Sequence, residues 1–150
     1  KTKYYRLMPL ITGLPGLRDS LYDLLENPVN NMPEYFDKLV DSFHDYASGL
    51  IPPSTTANAA KQAMRSSITT VPRLEKAYEI YAKELAKGLI PPYVGTPPPN
   101  NTLNFDSLII FTVTQDKMSS ATATANLLHA WMITGIATLT VPPNTPQPWS

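Results

Sequence analysis

Met32-Pro33-Glu34-Tyr35-Phe36-Asp37-Lys38-Leu39-Val40-Asp41-Ser42-Phe43-His44-Asp45-Tyr46-Ala47 is the stretch on which the fold turns. Met32, Tyr35, Phe36, Leu39, Val40, Phe43, Tyr46 and Ala47 recur at the three-and-four spacing that lines one side of an α-helix. Glu34, Asp37, Lys38, Asp41 and Asp45 fill the other side. The helix is read from Pro33 to Ala47, and Pro72 suits the first turn of another helix through Lys87, where its missing N–H costs nothing. So wide an aromatic stripe needs an equivalent surface to bury against. The chain offers one between Pro72 and Lys87, where Leu74, Ala77, Tyr78, Tyr81, Ala82 and Leu85 make a second stripe. The spacing therefore predicts a main core joining Phe36, Leu39, Val40 and Phe43 to Tyr78, Tyr81 and Leu85. Glu79 and Lys83 stand four apart on the second helix as a surface pair.

Both stripes end on the same string. Gly49-Leu50-Ile51-Pro52-Pro53 recurs as Gly88-Leu89-Ile90-Pro91-Pro92, and a looser version runs from Gly135 to Val141-Pro142-Pro143. Glycine fits the left-handed position past a helix end, and proline prevents continuation. Positive φ is therefore expected at Gly49 and Gly88. The segments between the copies do not match, so the shared string reads as common helix-stop chemistry rather than a structural repeat. Working outward, Gly16 to Glu26 carries Leu17, Leu21, Leu24 and Leu25 at helical spacing, after a turn at Gly13-Leu14-Pro15-Gly16. Ser54 or Thr55 can cap a helix from Thr56 to Thr69. Pro91 to Asn101 reads as an extended polyproline connector. Leu103 to Thr114 is β-branched enough for a strand, but no strong second strand answers it, and helix is the assignment. Ser119 to Thr134 is the last helix. The fold class is all-α: a small bundle of about five helices, with Pro-rich extended connectors and an extended C-terminal arm. Residues 1–140 form the domain, with 1–15 as an N-terminal extension, and 141–150 form the arm.

Composition bounds the function. Charged residues make up 16% and hydrophobic residues 43% of the chain, and 16 of its 150 residues are proline. The usual levels are about 25% charged and about 5% proline. The net charge of zero hides segregation: Lys1, Lys3, Arg6 and Arg18 precede seven acids, against Lys38 alone, between Asp19 and Asp45. No block is basic enough for a nucleic-acid footprint. There is no cysteine, which excludes disulfides, thiolate catalysis and cysteine-based zinc sites. The N-terminus lacks the apolar core of a secretory signal, and Leu127 to Val141 is too short and polar to span a membrane.

Few residues hint at chemistry. Asp37, Asp41 and His44 share one helical face and could hold a divalent metal; a solvated acidic face opposite the core stripe is the preferred reading. His129 has neither a nucleophile elbow nor an orienting carboxylate near it in sequence, so a core or interface histidine making one hydrogen bond is expected. Gly13 to Gly16 lacks the Lys-Ser/Thr of a phosphate loop. Tyr4, Tyr5 and Arg6 could stack on nucleic acid, but packing on their own or a neighbouring subunit is favoured. No catalytic residue, metal ligand or cofactor is assigned, and the chain is read as no enzyme.

The strongest feature is an absence. After Lys117 the chain carries no Asp, Glu, Lys or Arg through Ser150. Such a stretch is either core or a surface covered by another chain. Pro97 to Pro99 and Pro142 to Trp149 could be ligands for an aromatic groove, or stiff arms lying across a neighbour. The arm is favoured, with Trp131, Val141, Pro142, Pro143, Pro146, Pro148 and Trp149 as interface candidates and Trp149 as anchor.

Two segments resemble a known group. Ile51-Pro52-Pro53-Ser54-Thr55-Thr56-Ala57-Asn58-Ala59-Ala60-Lys61-Gln62-Ala63-Met64 and His129-Ala130-Trp131-Met132-Ile133-Thr134-Gly135, followed by the Pro-Trp ending, resemble small virion structural proteins of tailed bacteriophages. The resemblance spans Leu50 to Trp149. It implies a non-enzymatic subunit of a capsid, neck or tail, located in the virion and partnered by other protein subunits, in a homo-oligomer or a multi-protein particle. The alternative expectation is a soluble all-α module docking a partner through its Pro-rich segments.

Overall fold

Asn31 starts the central helix, its side-chain oxygen accepting the Glu34 N–H at 2.8 Å while Pro33 occupies the first turn. The computed structural model describes residues 9–108 and 116–150. They form α1 (Leu10–Glu26), α2 (Met32–Ala47), α3 (Ala57–Ser67), α4 (Leu74–Lys87) and α5 (Lys117–Met132). A single 3-10 turn (Asp106–Leu108) and three strands, β1 (Tyr93–Thr96), β2 (Ile136–Leu139) and β3 (Pro146–Pro148), complete the described elements. The helical bundle matches the expectation from the sequence; the strands correct the all-α class.

The predicted core forms. Phe43 is fully buried and meets Tyr78 and Tyr81 edge-on, with ring centroids 4.8 and 5.0 Å apart. Leu39, Val40 and Leu85 are buried with them. Phe36 is only half-buried, under the Arg65 guanidinium, and Met32 stays exposed at the start of the stripe. α1 packs on α2 and α5, and α3 packs on α4 and α2.

Three local expectations need correction. Gly13-Leu14-Pro15-Gly16 is not a turn before a helix: α1 begins at Leu10 and runs through Pro15. Leu10 and Leu17 are both buried, so packing outweighs a helix-breaking local sequence. Residues 9–15 therefore belong to the domain; residues 1–8, including Tyr4, Tyr5 and Arg6, lie outside the described residues. The helix assigned to Leu103–Thr114 is not found where it can be seen, since 103–105 is irregular, 106–108 is the 3-10 turn and 109–115 lie outside the described residues.

The third correction concerns the stop signals. Helices end at Ala47 and Lys87, just before each copy of the string, yet no described glycine has positive φ. Gly88 sits at φ −108, a conformation open to any residue. Space is what it supplies: a Cβ there would run into the Thr56 side chain. The hydroxyls expected to cap α3 cap a different helix end. Ser54 Oγ donates to the Leu85 carbonyl at 2.6 Å, Thr56 Oγ1 to Glu84 at 2.6 Å and Thr55 Oγ1 to Gly88 at 3.0 Å. Those carbonyls lie at the C-terminal end of α4, where helical partners run out, although Leu85 also accepts the Gly88 N–H at 3.2 Å. Thr56, at the start of α3, makes no side-chain cap bond there. The two copies of the string thus meet in space, joined by an antiparallel bridge between Ser54 and Leu89 and by the Ile90 N–H to Pro53 carbonyl bond at 3.0 Å.

The Pro91–Asn101 connector is not simply extended polyproline, because its centre is β1. β1, β2 and β3 form an antiparallel sheet in that order, with Gly95 opposite Ala137 and Ala137 opposite Gln147. β1 rests on α4, and the inner face of the sheet needs small residues. A Cβ at Gly95 would press on the Ala86 backbone, and Ala137 is fully buried. The β2–β3 hairpin turns at Asn144, whose φ of 54 is the left-handed conformation asparagine tolerates and whose side chain donates to the Leu139 carbonyl.

Candidate assembly interface

Strand alternation decides which residues look outward. Pairing Val94 with Thr138, Thr96 with Ile136, and then Ile136 with Pro148 and Thr138 with Pro146 puts all six on the outer face of the sheet. Val94 is 56% and Ile136 39% exposed, and Pro146 and Pro148 are exposed beside them. Val141, 50% exposed, and the exposed Pro142 and Pro143 continue the surface around the hairpin. None of these residues is charged. The two prolines of β3 also withhold N–H groups from the edge of the sheet, which discourages strand-on-strand addition there.

The structure divides the sequence-predicted interface residues. Val141, Pro142, Pro143, Pro146 and Pro148 are brought together on this surface. Trp149 and Trp131 are not. Trp149 is 1% exposed and closes against Gly135 of its own chain, where any Cβ would collide with the indole. The Trp149 backbone N–H donates to the Gly135 carbonyl at 2.8 Å, and Ser150 exchanges backbone hydrogen bonds with Ile51 at 2.7 and 3.2 Å. The expected arm anchored on another chain is thereby corrected: 141–150 is a strand and clasp of the same domain. The burial of one large aromatic ring and the pairing of backbone groups hold it there. The indole Nε1 has no hydrogen-bond partner among the described residues, so the ring is held by apolar contact. Trp131 is buried and donates Nε1–H to Thr102 Oγ1 at 3.1 Å, so it is also internal.

The other candidates resolve into structural roles. Asp41 pairs with Lys61 at 2.9 Å and Asp37 with Arg65 at 2.5 Å, so the acidic side of α2 is knitted to α3. No group of three or more metal-ligating side chains occurs among the described residues. His129 Nδ1 makes the single expected hydrogen bond, with the Tyr46 hydroxyl at 2.6 Å, and His44 Nδ1 makes a second such bond with Tyr81 at 2.8 Å. Burial lowers the pKa of both imidazoles and raises those of Tyr46 and Tyr81. Glu79 does not serve the surface pair expected with Lys83. It is buried, binding Lys76 and accepting the Asn101 N–H at 2.7 Å, and so pins the 99–106 loop to α4. Glu75, also buried, does the same through Arg73 at 2.8 Å and the Phe105 N–H. A hollow of about 260 Å³ between α1, α2, α4 and α5, lined by Leu21, Leu24, Leu39, Leu74 and Phe105, has no acidic or basic side chain in its described lining. Among the described residues no helix is long and apolar enough to cross a membrane. No family model, curated protein sequence or solved structure matches this chain.

Proposed function

We propose that the chain is a non-enzymatic structural subunit of a large protein assembly, a component of a bacteriophage virion in its capsid, neck or tail. The observation that carries this reading is the outer face of the sheet, a charge-free surface on which Val94, Thr96, Ile136, Pro146 and Pro148 are exposed and Thr138 is half-buried. A domain that remains free in solution normally intersperses charges on its surface. Here most charges of the described residues are carried by α1 to α4, and the uncharged stretch after Lys117 supplies most of the sheet. Pro98 and Trp149 are buried, so neither Pro-rich run is presented as a loose ligand, which favours the subunit over the docking module. Sedimentation of the isolated chain over a range of concentrations tests the reading. Association that disappears in Val94→Lys with Ile136→Lys, while the melting temperature holds, is the expected result. A monomer at every concentration, or association indifferent to the two lysines, contradicts it.

A further inference from the structure

We propose that the two histidine–tyrosine hydrogen bonds, His44 to Tyr81 and His129 to Tyr46, act as an acid-sensitive clasp that fixes α2 between α4 and α5 and loosens the bundle as pH falls below neutrality. His44 and Tyr46 lie two residues apart on α2, about 200° around the helix axis, so they face opposite flanks. One reaches Tyr81 on α4 at 2.8 Å and the other is reached by His129 on α5 at 2.6 Å. Both hydroxyls are buried, Tyr81 at 0% and Tyr46 at 2% exposure, and the imidazole is the hydrogen-bond partner each has among the described residues.

A neutral imidazole can accept at Nδ1, so each tyrosine proton has a place to go. Protonation puts a hydrogen on Nδ1. The ring can then only donate, and the tyrosine oxygen can accept, but the tyrosine proton is stranded in a buried site. The surroundings set the direction. At His44 burial and Lys61 of α3 oppose the proton, while Asp45 and Asp41 of α2 favour it and are outweighed; Tyr81 of α4 is held neutral by burial and by Asp45. At His129 burial alone acts, and Tyr46 of α2 is likewise neutral.

Both imidazoles therefore have folded-state values below the unfolded one near ~6.5. As pH falls through that value the unfolded chain takes up protons that the folded chain refuses. Stability is complete above it and is lost between it and the folded-state values. The chain has two histidines and no cysteine. Unperturbed carboxylates titrate near pH ~4 and unperturbed imidazoles near ~6.5, so the window from about pH 7 to about pH 5 is the one to measure.

The test uses the full chain. Denaturant unfolding is measured at about pH 7.5 and about pH 5.5, and both imidazole Cε1–H signals are titrated by proton NMR. The midpoint should fall at the lower pH, both rings should titrate below their unfolded value, and His44→Gln with His129→Gln should abolish the pH dependence. Tyr46→Phe with Tyr81→Phe, which leaves no proton to strand, should shrink it. A midpoint that does not move, a ring titrating at or above the unfolded value, or a pH dependence unchanged in either double variant overturns the clasp. Should a double variant fail to fold, the NMR titration of the unaltered chain decides alone.

Discussion

Gly88 shows why a residue can be chosen correctly for the wrong physical reason. Its position after a helix and before Ile90-Pro91-Pro92 marks a stop, and the helix does stop there. The backbone is not left-handed, however, and the glycine is needed because Thr56 leans across it. Sequence spacing reports the end of a helix; it cannot report a contact between positions 56 and 88. Gly88→Ala is expected to cost about 1–3 kcal/mol by overpacking. Trimming the threonine in the Gly88→Ala, Thr56→Ala double variant should recover part of that, giving a coupling above about 0.5 kcal/mol. Urea unfolding of the three variants measures it, and additive costs would return the explanation to backbone conformation. Trp149 makes a similar point: its uncharged, Pro-rich surroundings fit burial against any surface, and only the collision geometry at Gly135 shows that the surface is its own chain.

At the scale of elements, long periodic patterns were legible and short ones were not. α2 and α4 carry wide stripes, and both the helices and the contact between them follow from spacing. β1, β2 and β3 contain four, four and three residues, two of them bounded or interrupted by proline, so each falls below the length at which alternation can be read. They exist because they pair with one another and because β1 packs on α4. α1 fails locally for the opposite reason, since Pro15 and two glycines argue against a helix that buried leucines then enforce. Ser54 and Thr55 read as caps for α3, yet their hydroxyls cap α4; a hydroxyl points to a nearby helix end, and sequence order does not say which. Ser54→Ala should therefore cost about 1 kcal/mol, from the loss of its bond to the Leu85 carbonyl, and the lost protection in amide exchange should appear in the last turn of α4. Faster exchange confined to the first turn of α3 would restore the original assignment.

The whole molecule separates its charges from the uncharged stretch after Lys117. α2 and α3 exchange ion pairs, buried glutamates on α4 hold the 99–106 loop, and the segment after Lys117 supplies α5, two strands and a terminal clasp. The candidate interface was half legible in the sequence: the lack of charge marked the region, and the sheet register then sorted its exposed prolines and valine from its buried tryptophans. The account rests on the last nine residues completing their own domain and leaving only a flat face for neighbours. Thermal melting of the isolated chain without Pro142–Ser150 tests this most directly. Loss of the Trp149 ring alone is worth about 3–5 kcal/mol, or roughly 10 °C in a chain of this size. The account predicts a melting temperature lowered by at least about that much, and a truncated chain melting at the temperature of the intact one would contradict it.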